Sequence, residues 1–313
     1  MPERRRRPRP PRPQPKRRKI KGRIEEYAKL KKLAHKWKLV GEFVRLIAIS
    51  SRVKNLEAPV NVCLVGPPGD GKTAMLMRAQ AVPHIRVFSD ISPKGVLSFL
   101  DLVKNGFVST LLIPDLGTVI GRKAEVGKQV IANLAMLCAE GVYQIAVFGR
   151  MKDYGGARAS LMTAATVENF VEATRMLTQN GFTSRLFLVD FDFSSEELLH
   201  MQARKMLGDR SLLKPFTYPR AGLRAGLYPL KSVRVPRSHA STALDWWRRV
   251  MAHAPEHVYG FRTADALNGL LQASAYLHGR RAVTADDVTY IKRFESLWMK
   301  QFTPEKKGVG QGQ

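Results

Sequence analysis

The stretch that decides the fold reads Val62-Cys63-Leu64-Val65-Gly66-Pro67-Pro68-Gly69-Asp70-Gly71-Lys72-Thr73 and continues into a helix-forming run that starts at Ala74. Residues 66–73 match the pattern G-x-x-x-x-G-K-[ST] completely, with an apolar strand before it and a helix after it. In such a loop the backbone N–H groups cradle two phosphates, Lys72 reaches the outer phosphates, and the Thr73 hydroxyl ligates Mg²⁺. The sequence therefore predicts an ATP and Mg²⁺ site. Its residues are Gly66, Pro67, Pro68, Gly69, Asp70, Gly71, Lys72, Thr73 and Ala74.

The charge of the chain points to a polyanionic partner. Its 313 residues carry a net charge of +26, which makes nucleic acid the first partner to test, with DNA favoured over RNA. The only two cysteines, Cys63 and Cys138, lie in apolar segments, as expected of reduced, buried thiols. No run approaches the ~20 apolar residues that span a bilayer, and no secretory signal is recognisable. We expect a protein without membrane association, in the cytoplasm or, in a eukaryotic cell, the nucleus.

The N-terminal segment is the most basic part of the chain. Residues 1–22 contain eleven Lys or Arg, one Glu and six Pro, so the segment has nothing to bury and is predicted to be a disordered arm. Such an arm binds phosphate backbones by counterion release. A nuclear-import address, a ribosome-affine tail and a solubilising extension are the alternatives.

The rest of the chain alternates strand and helix patterns and then becomes helical, which predicts an α/β fold with a parallel sheet followed by a helical lid. The predicted domains are the arm 1–22, N-terminal helices 23–58, an α/β nucleotide-binding domain 59–193, a lid 194–302 and a flexible tail 303–313. The predicted elements are helices Arg23–Lys38, Glu42–Val53, Pro93–Lys104, Glu125–Glu140, Ser195–Met206, Thr242–Ala252, Thr263–His278 and Ala285–Phe302, strands His84–Ser89, Ser109–Ile113, Ser160–Ala165 and Arg185–Val189, and a hairpin Val142–Arg158.

Polar residues follow two of these strands. Asp115 comes directly after the strand Ser109–Ile113 and Pro114, where a P-loop enzyme holds the Mg²⁺ water shell; an ordinary turn aspartate is the alternative. Thr166 stands at the tip of the next strand, on the γ-phosphate side, and a local helix cap is the alternative there. Thr163 is a reserve candidate on the opposite face of that strand.

In this order and spacing, the phosphate loop, Asp115, Thr166, Ser184-Arg185 and Gly260-Phe261-Arg262 resemble the AAA+ ATPases over roughly residues 38–300. The resemblance implies a parallel sheet of strand order 5-1-4-3-2 with a C-terminal α-helical lid. It also implies roles: Gly41, in Leu39-Val40-Gly41-Glu42, packs on adenine, Thr166 is the first sensor, and Arg262 is the second.

The same resemblance implies assembly. Arg185 would be an arginine finger that reaches the γ-phosphate of a neighbouring subunit in a homo-oligomeric ring or filament, whereas a surface salt bridge is the plainer interpretation of an arginine at a strand start. Glu140–Arg158 looks like the hairpin inserted by the MoxR-like and helicase-related branches. Gly279–Val288 is similar to their lid helices.

One departure from the family pattern puts hydrolysis in doubt. The acidic residue expected directly after Asp115 is Leu116, which cannot orient an attacking water. We expect Asp90, at the end of a neighbouring strand, to be the substitute catalytic carboxylate, with Glu125 and Glu168 as alternatives and a helix-terminal role as the plainer interpretation of Asp90.

The sequence thus predicts an ATP–Mg²⁺-dependent ATPase that loads, remodels or translocates on DNA. A MoxR-type chaperone with a protein partner and a weakly hydrolysing ATP switch are the alternatives. The basic lid loop Arg210–Arg237 is either solvated or a second phosphate-contacting surface. The Trp246-Trp247 pair is expected in the lid core, with partner docking as the alternative.

Overall fold

The computed structural model describes residues 35–122, 124–147, 150–179, 181–206, 214–216, 230–251 and 262–298. The strands within these ranges are β1 Val62–Gly66, β2 Ile85–Val87, β3 Thr110–Ile113, β4 Val142–Val147, β5 Arg150–Ala157, β6 Ser160–Thr166 and β7 Phe187–Asp190. The helices are α1 His35–Ser50, α2 Lys72–Met77, α3 Pro93–Lys104, α4 Gly117–Ile120, α5 Ala124–Leu137, α6 Val167–Gln179, α7 Ser195–Met206, α8 Arg237–Met251, α9 Arg262–Leu277 and α10 Ala285–Lys292. No described helix is both long and apolar enough to cross a membrane.

Five strands form one parallel sheet in the order β2-β3-β6-β1-β7. The α/β class and the parallel sheet are therefore confirmed. With the strands numbered along the whole chain, this order differs from the predicted 5-1-4-3-2. The reason is that β4 and β5 lie outside the sheet. If only the strands of the sheet are counted, they run 5-1-4-3-2 from β7 to β2. The central strand β1 pairs with β6 over Val62–Gly66, so its carboxyl end meets Thr166.

The predicted hairpin is confirmed: β4 and β5 pair antiparallel, apart from the sheet. It packs against α3, where Lys152 pairs with Asp101 at 2.6 Å and Lys104 donates to the Asp153 carbonyl at 2.8 Å. Tyr143 remains largely exposed.

The two faces of the sheet bury separate apolar clusters, because alternate residues of each strand point to opposite faces. One cluster takes Cys63 and Val65 of β1 and packs against α3, α5 and α6. The other takes Val62 and Leu64 together with α1 and the helices beyond residue 236. The predicted boundary near residue 193 thus separates strands from helices in sequence, but the helical part shares a core with the sheet. Trp246 and Trp247 belong to that core, packed on Trp298.

Several sequence-based element boundaries are wrong. A break between Lys38 and Glu42 is absent, since α1 runs from His35 through both residues to Ser50; residues 23–34, like the arm 1–22 and the tail 303–313, lie outside the described residues. Arg185 ends a 3-10 turn and does not begin a strand. Helix α6 was not predicted, and neither was α4, the short helix directly after Asp115.

Candidate nucleotide-binding site

The phosphate loop follows the carboxyl end of β1 and leads into α2. Gly66 closes β1 against the segment after β7: a Cβ there would overlap the Phe191 carbonyl, and the Phe191 amide donates to Val65 at 2.7 Å. Gly69 and Gly71 both have φ of 89°, which favours glycine. A Cβ on Gly69 would meet nothing within 4 Å. The loop thus has the backbone and the open space that a phosphate cradle needs.

Lys72 is the charged centre of the loop. It is the first residue of α2 and is buried, and its Nζ donates to the Gly66 carbonyl at 2.7 Å and to the Pro67 carbonyl. Burial lowers the pKa of Lys72, while the negative charges of Asp70, Asp115 and Glu168 raise it in part. Three carboxylates from three parts of the chain therefore lie within electrostatic reach of this ammonium group.

Asp70 is the buried carboxylate of the loop. Burial raises its pKa, whereas the charges of Lys72 and Lys36 and a backbone hydrogen bond from Phe193 lower it. Lys36 of α1 itself donates to Asp190 at 3.3 Å and to the Asp192 carbonyl. The loop is thereby connected to α1 through the segment after β7. Of the other loop residues, Pro68 and Thr73 are exposed, and Pro67 and Ala74 are partly buried.

Thr73 and Asp115 are the residues that would hold Mg²⁺. Both side chains are exposed, and Asp115 accepts a hydrogen bond from the Gly117 amide at 2.8 Å on one oxygen only. The described residues contain no cluster of three or more His, Cys, Asp or Glu side chains suited to a metal. A magnesium ion with one carboxylate, one hydroxyl, waters and phosphates needs no such cluster, so the donors present fit this ion.

The two threonines of β6 have different surroundings. Thr166 pairs in register with Gly66, and its Oγ1 accepts from the Asn169 amide at 3.2 Å, so it caps α6. Thr163 is fully buried inside the sheet, away from solvent, and its Oγ1 has no partner among the described residues. Thr166 is therefore the threonine at the site, and the cap considered for it is present.

Sequence reasoning missed Asn169. A Cβ on Gly117 would lie 2.5 Å from Asn169 Nδ2 and 3.0 Å from Asp115 Oδ1, so the amide lies beside the Asp115 carboxylate. The helix α6 that carries it was not predicted, and the only sequence signal would have been a polar residue three positions after Thr166.

Leu116 points away from the site. Its side chain is fully buried in the apolar cluster, and its amide donates to the Ala164 carbonyl at 2.7 Å. The side chain at this position therefore faces the core and not the phosphate loop.

The three substitute carboxylates are placed differently. Asp90 pairs with Arg122 and accepts from the Ile91 amide at 2.9 Å. Glu125 pairs with Lys128 at 3.4 Å on the surface of α5. Only Glu168, in the first turn of α6, is among the charges that act on Lys72.

Gly41 and Arg262 are placed on helices. Gly41 is buried in α1, where a Cβ would lie 2.7 Å from an Arg78 nitrogen at the end of the phosphate-loop helix. It thus contacts the residue after α2, and an adenine contact stays a prediction. Arg262 begins α9, but its side chain lies outside the described residues.

Arg185 lies at the amino ends of the parallel strands, whereas Lys72 lies at their carboxyl ends. It precedes β7, and its carbonyl accepts from Asn61, just before β1, at 2.9 Å. Its side chain, 10% exposed, pairs with Glu140 at 3.4 Å and donates to the Gly181 carbonyl. The salt bridge considered for Arg185 is thus present. Within one chain, Arg185 is remote from the phosphate loop.

A comparison with known protein families finds no match, and no curated protein is significantly similar to the chain in sequence.

Proposed function

We propose that the protein is an ATPase of the AAA+ type, which binds ATP and Mg²⁺ at the phosphate loop, assembles with copies of itself and acts on nucleic acid. The observation that carries the proposal is that the phosphate loop with Lys72, Asp115 and Glu168 follows the carboxyl ends of the adjacent parallel strands β1, β3 and β6. The strand order 5-1-4-3-2, counted over the sheet alone, is the order that the AAA+ resemblance implies and supports the same conclusion.

The chain's own residues have separable roles in this proposal. When bound, Mg²⁺ neutralises charge on the transferred phosphoryl group. Lys72, which donates to two loop carbonyls, would bind phosphate oxygens instead, and Thr73 and Asp115 would hold the shell of the metal. Asn169, beside Asp115, and Glu168, whose charge acts on Lys72, would orient an attacking water. The nucleic-acid part of the proposal rests on the net charge of +26.

Changing Lys72 to Ala tests nucleotide binding. The variant loses a charge-assisted contact of roughly 1.5–3 kcal/mol to the phosphates, so its ATP affinity falls by at least about tenfold. Isothermal titration calorimetry with Mg²⁺ and a slowly hydrolysed ATP analogue measures the change. Lys94→Ala, an exposed lysine on α3, is the matched control. Equal affinity in the Lys72 and Lys94 variants would falsify the site.

A weakly hydrolysing ATP switch is the second candidate, favoured by the burial of Leu116. Steady-state phosphate release with and without DNA separates the two functions. Turnover stimulated by DNA supports the ATPase. Tight ATP binding without turnover supports the switch.

A MoxR-type chaperone is a third candidate, because the hairpin presents exposed Tyr143 and Met151. ATP turnover stimulated by an unfolded protein and not by DNA favours it.

A further inference from the structure

A cavity of about 590 Å³ lies far from the phosphate loop, beside the segment that precedes β1. Asn55 and Glu57 form one side of it, the segment before α8 and α8 itself form a second, and α9 and Arg281 form the third. The phosphate loop follows the carboxyl end of β1, whereas residues 55–57 precede its amino end. The cavity is therefore separate from the proposed nucleotide site.

The cavity is strongly basic. Arg234, Arg237 and Arg281 line it, and the carboxylate of Glu57 is the one acidic group among its lining residues. All three arginines are exposed, and none of them has a side-chain hydrogen bond or ion pair to another described residue. The neighbouring Arg280, by contrast, pairs with the buried Asp287. Among the described residues, three guanidinium groups thus face a single carboxylate, which leaves the lining with a net positive charge.

The backbone that carries these arginines is held on both sides. Val233 is buried and bonded twice to Asn55, at 2.9 and 3.1 Å, and its carbonyl also accepts from Gln272 at 2.8 Å. The backbone amide of Arg234 donates to the Arg281 carbonyl at 3.0 Å, and the Arg234 carbonyl accepts from the Val283 amide at 2.9 Å. The backbone at Arg234 and Arg281 is therefore held in place, so binding of an anion orders these two side chains but not the chain that carries them.

A second depression, of about 190 Å³, includes Arg158, whose guanidinium donates to the carbonyl of Glu57 in the first depression. Lys54 and Arg158 line it, and Ser160, buried on its floor, has an Oγ without a partner among the described residues. Lys54 and Leu56 line this depression, whereas Asn55 and Glu57 line the first. The two depressions thus lie on either side of one short segment, and cations are present in both.

We propose that these two depressions form a binding site for the phosphate backbone of single-stranded nucleic acid, independent of the nucleotide loop. The larger depression has the volume of a pocket for one small ligand and is too small for a duplex. Cations on both sides of a ridge fit a linear polyanion better than a single phosphate, and Asn268 adds an amide that can bond to a base or sugar. This inference rests on the nucleic-acid part of the proposed function.

The test removes three positive charges at the site. In the full-length chain, Arg234→Gln, Arg237→Gln and Arg281→Gln are combined, and binding of a fluorescent oligo(dT) is followed by anisotropy over a salt series. Because each lost phosphate contact reduces the salt slope by roughly 0.7 for single strands, we expect a slope smaller by about 2 and affinity at least about tenfold weaker. The corresponding triple Arg→Lys variant keeps the charges and is expected to retain the wild-type slope.

The matched control removes the same charge elsewhere. Arg86, Lys205 and Arg249 are exposed and have no described partner, so their combined change to Gln is expected to leave the slope within about 0.5 of wild type. Circular dichroism melting verifies that all three triple variants fold. Calorimetry with ATP verifies that their nucleotide site is intact.

The outcomes separate this inference from the proposed function. If wild type binds oligo(dT) and both triple Gln variants bind it as tightly as wild type does, with the same salt slope, the site is overturned while the nucleic-acid function stands. If wild type binds no nucleic acid, both fail together. If inorganic phosphate or dTMP at low concentration displaces the oligonucleotide, the cavity takes isolated phosphates and the backbone assignment is overturned.

Discussion

At the scale of single residues, the proposed ATP hydrolysis needs a carboxylate near Lys72 that can orient a water molecule. Asp90 is the substitute that the sequence favours for the missing glutamate, and in the structure its carboxylate pairs with Arg122. Glu168 is exposed, lies next to the end of β6, and contributes to the pKa of Lys72. We therefore assign the orientation of water to Glu168 as a proposal.

The residue-scale prediction compares two amides. Glu168→Gln removes the negative charge but keeps the shape, so ATP affinity is retained and phosphate release slows by at least about a hundredfold, the lower end of the effect of a lost general base. Asp90→Asn leaves the rate within a factor of about two. Glu172→Gln, one turn further along α6, controls for the loss of charge on this helix. Equal turnover in the Glu168 and Glu172 variants would show that another group positions the water.

At the scale of elements, a buried histidine connects α1 to the sheet. His84, just before β2, has its Nε2 2.9 Å from the Ala48 carbonyl of α1, so Nε2 carries the proton and donates. Burial lowers the pKa of His84 to about 4; the hydrogen bond to Ala48 raises it, and the nearby Arg52 lowers it. Burial therefore keeps the imidazole neutral at pH 7, and the neutral ring still donates from Nε2 to Ala48.

The sign of the pH dependence follows from these values. The unfolded chain has a histidine pKa of about 6.5, so it binds more protons than the folded chain between that pH and about 4. The free energy of unfolding thus decreases as pH falls through this window, by about 3 kcal/mol in total from His84. In His84→Gln, which keeps an N–H donor, this part of the decrease is absent.

Urea unfolding at pH 7, 5 and 4 measures this effect. His35→Gln, at the exposed first residue of α1, is the control and is expected to follow the wild-type curve. A decrease in His84→Gln as steep as in wild type would assign the acid sensitivity to other groups.

At the scale of the whole molecule, the sheet separates Lys72 from Arg185. Lys72 follows the carboxyl end of β1, whereas Arg185 precedes the amino end of β7, so a contact between Arg185 and a γ-phosphate at a phosphate loop would need a second subunit. Such a contact also requires Arg185 to leave Glu140 and the Gly181 carbonyl. Assembly and nucleotide state would then be coupled through one ion pair.

Mixing two inactive variants tests this coupling. Arg185→Ala keeps ATP binding and loses hydrolysis by a factor of up to ~10³, as for other arginine fingers, while Asp115→Ala loses the metal site but still presents Arg185. A boundary between the two variants contains one complete site, so ATPase activity reappears on mixing. Mixed oligomers that form, as seen by native mass spectrometry, yet stay inactive would give Arg185 a structural role only.

The sequence alone determined the phosphate loop, the parallel α/β sheet and the β4–β5 hairpin. These follow from local patterns: glycines that permit positive φ at Gly69 and Gly71, apolar strands, and a turn between two short strands. Only the tertiary structure decided that Leu116 faces the core, that Asp90 and Arg185 have ion-pair partners, and that Glu168 lies near Lys72. It also brought Arg234 and Arg281 together, 47 residues apart in the chain. These relations join residues that are distant in sequence, and packing across the sheet sets them, which no local pattern encodes.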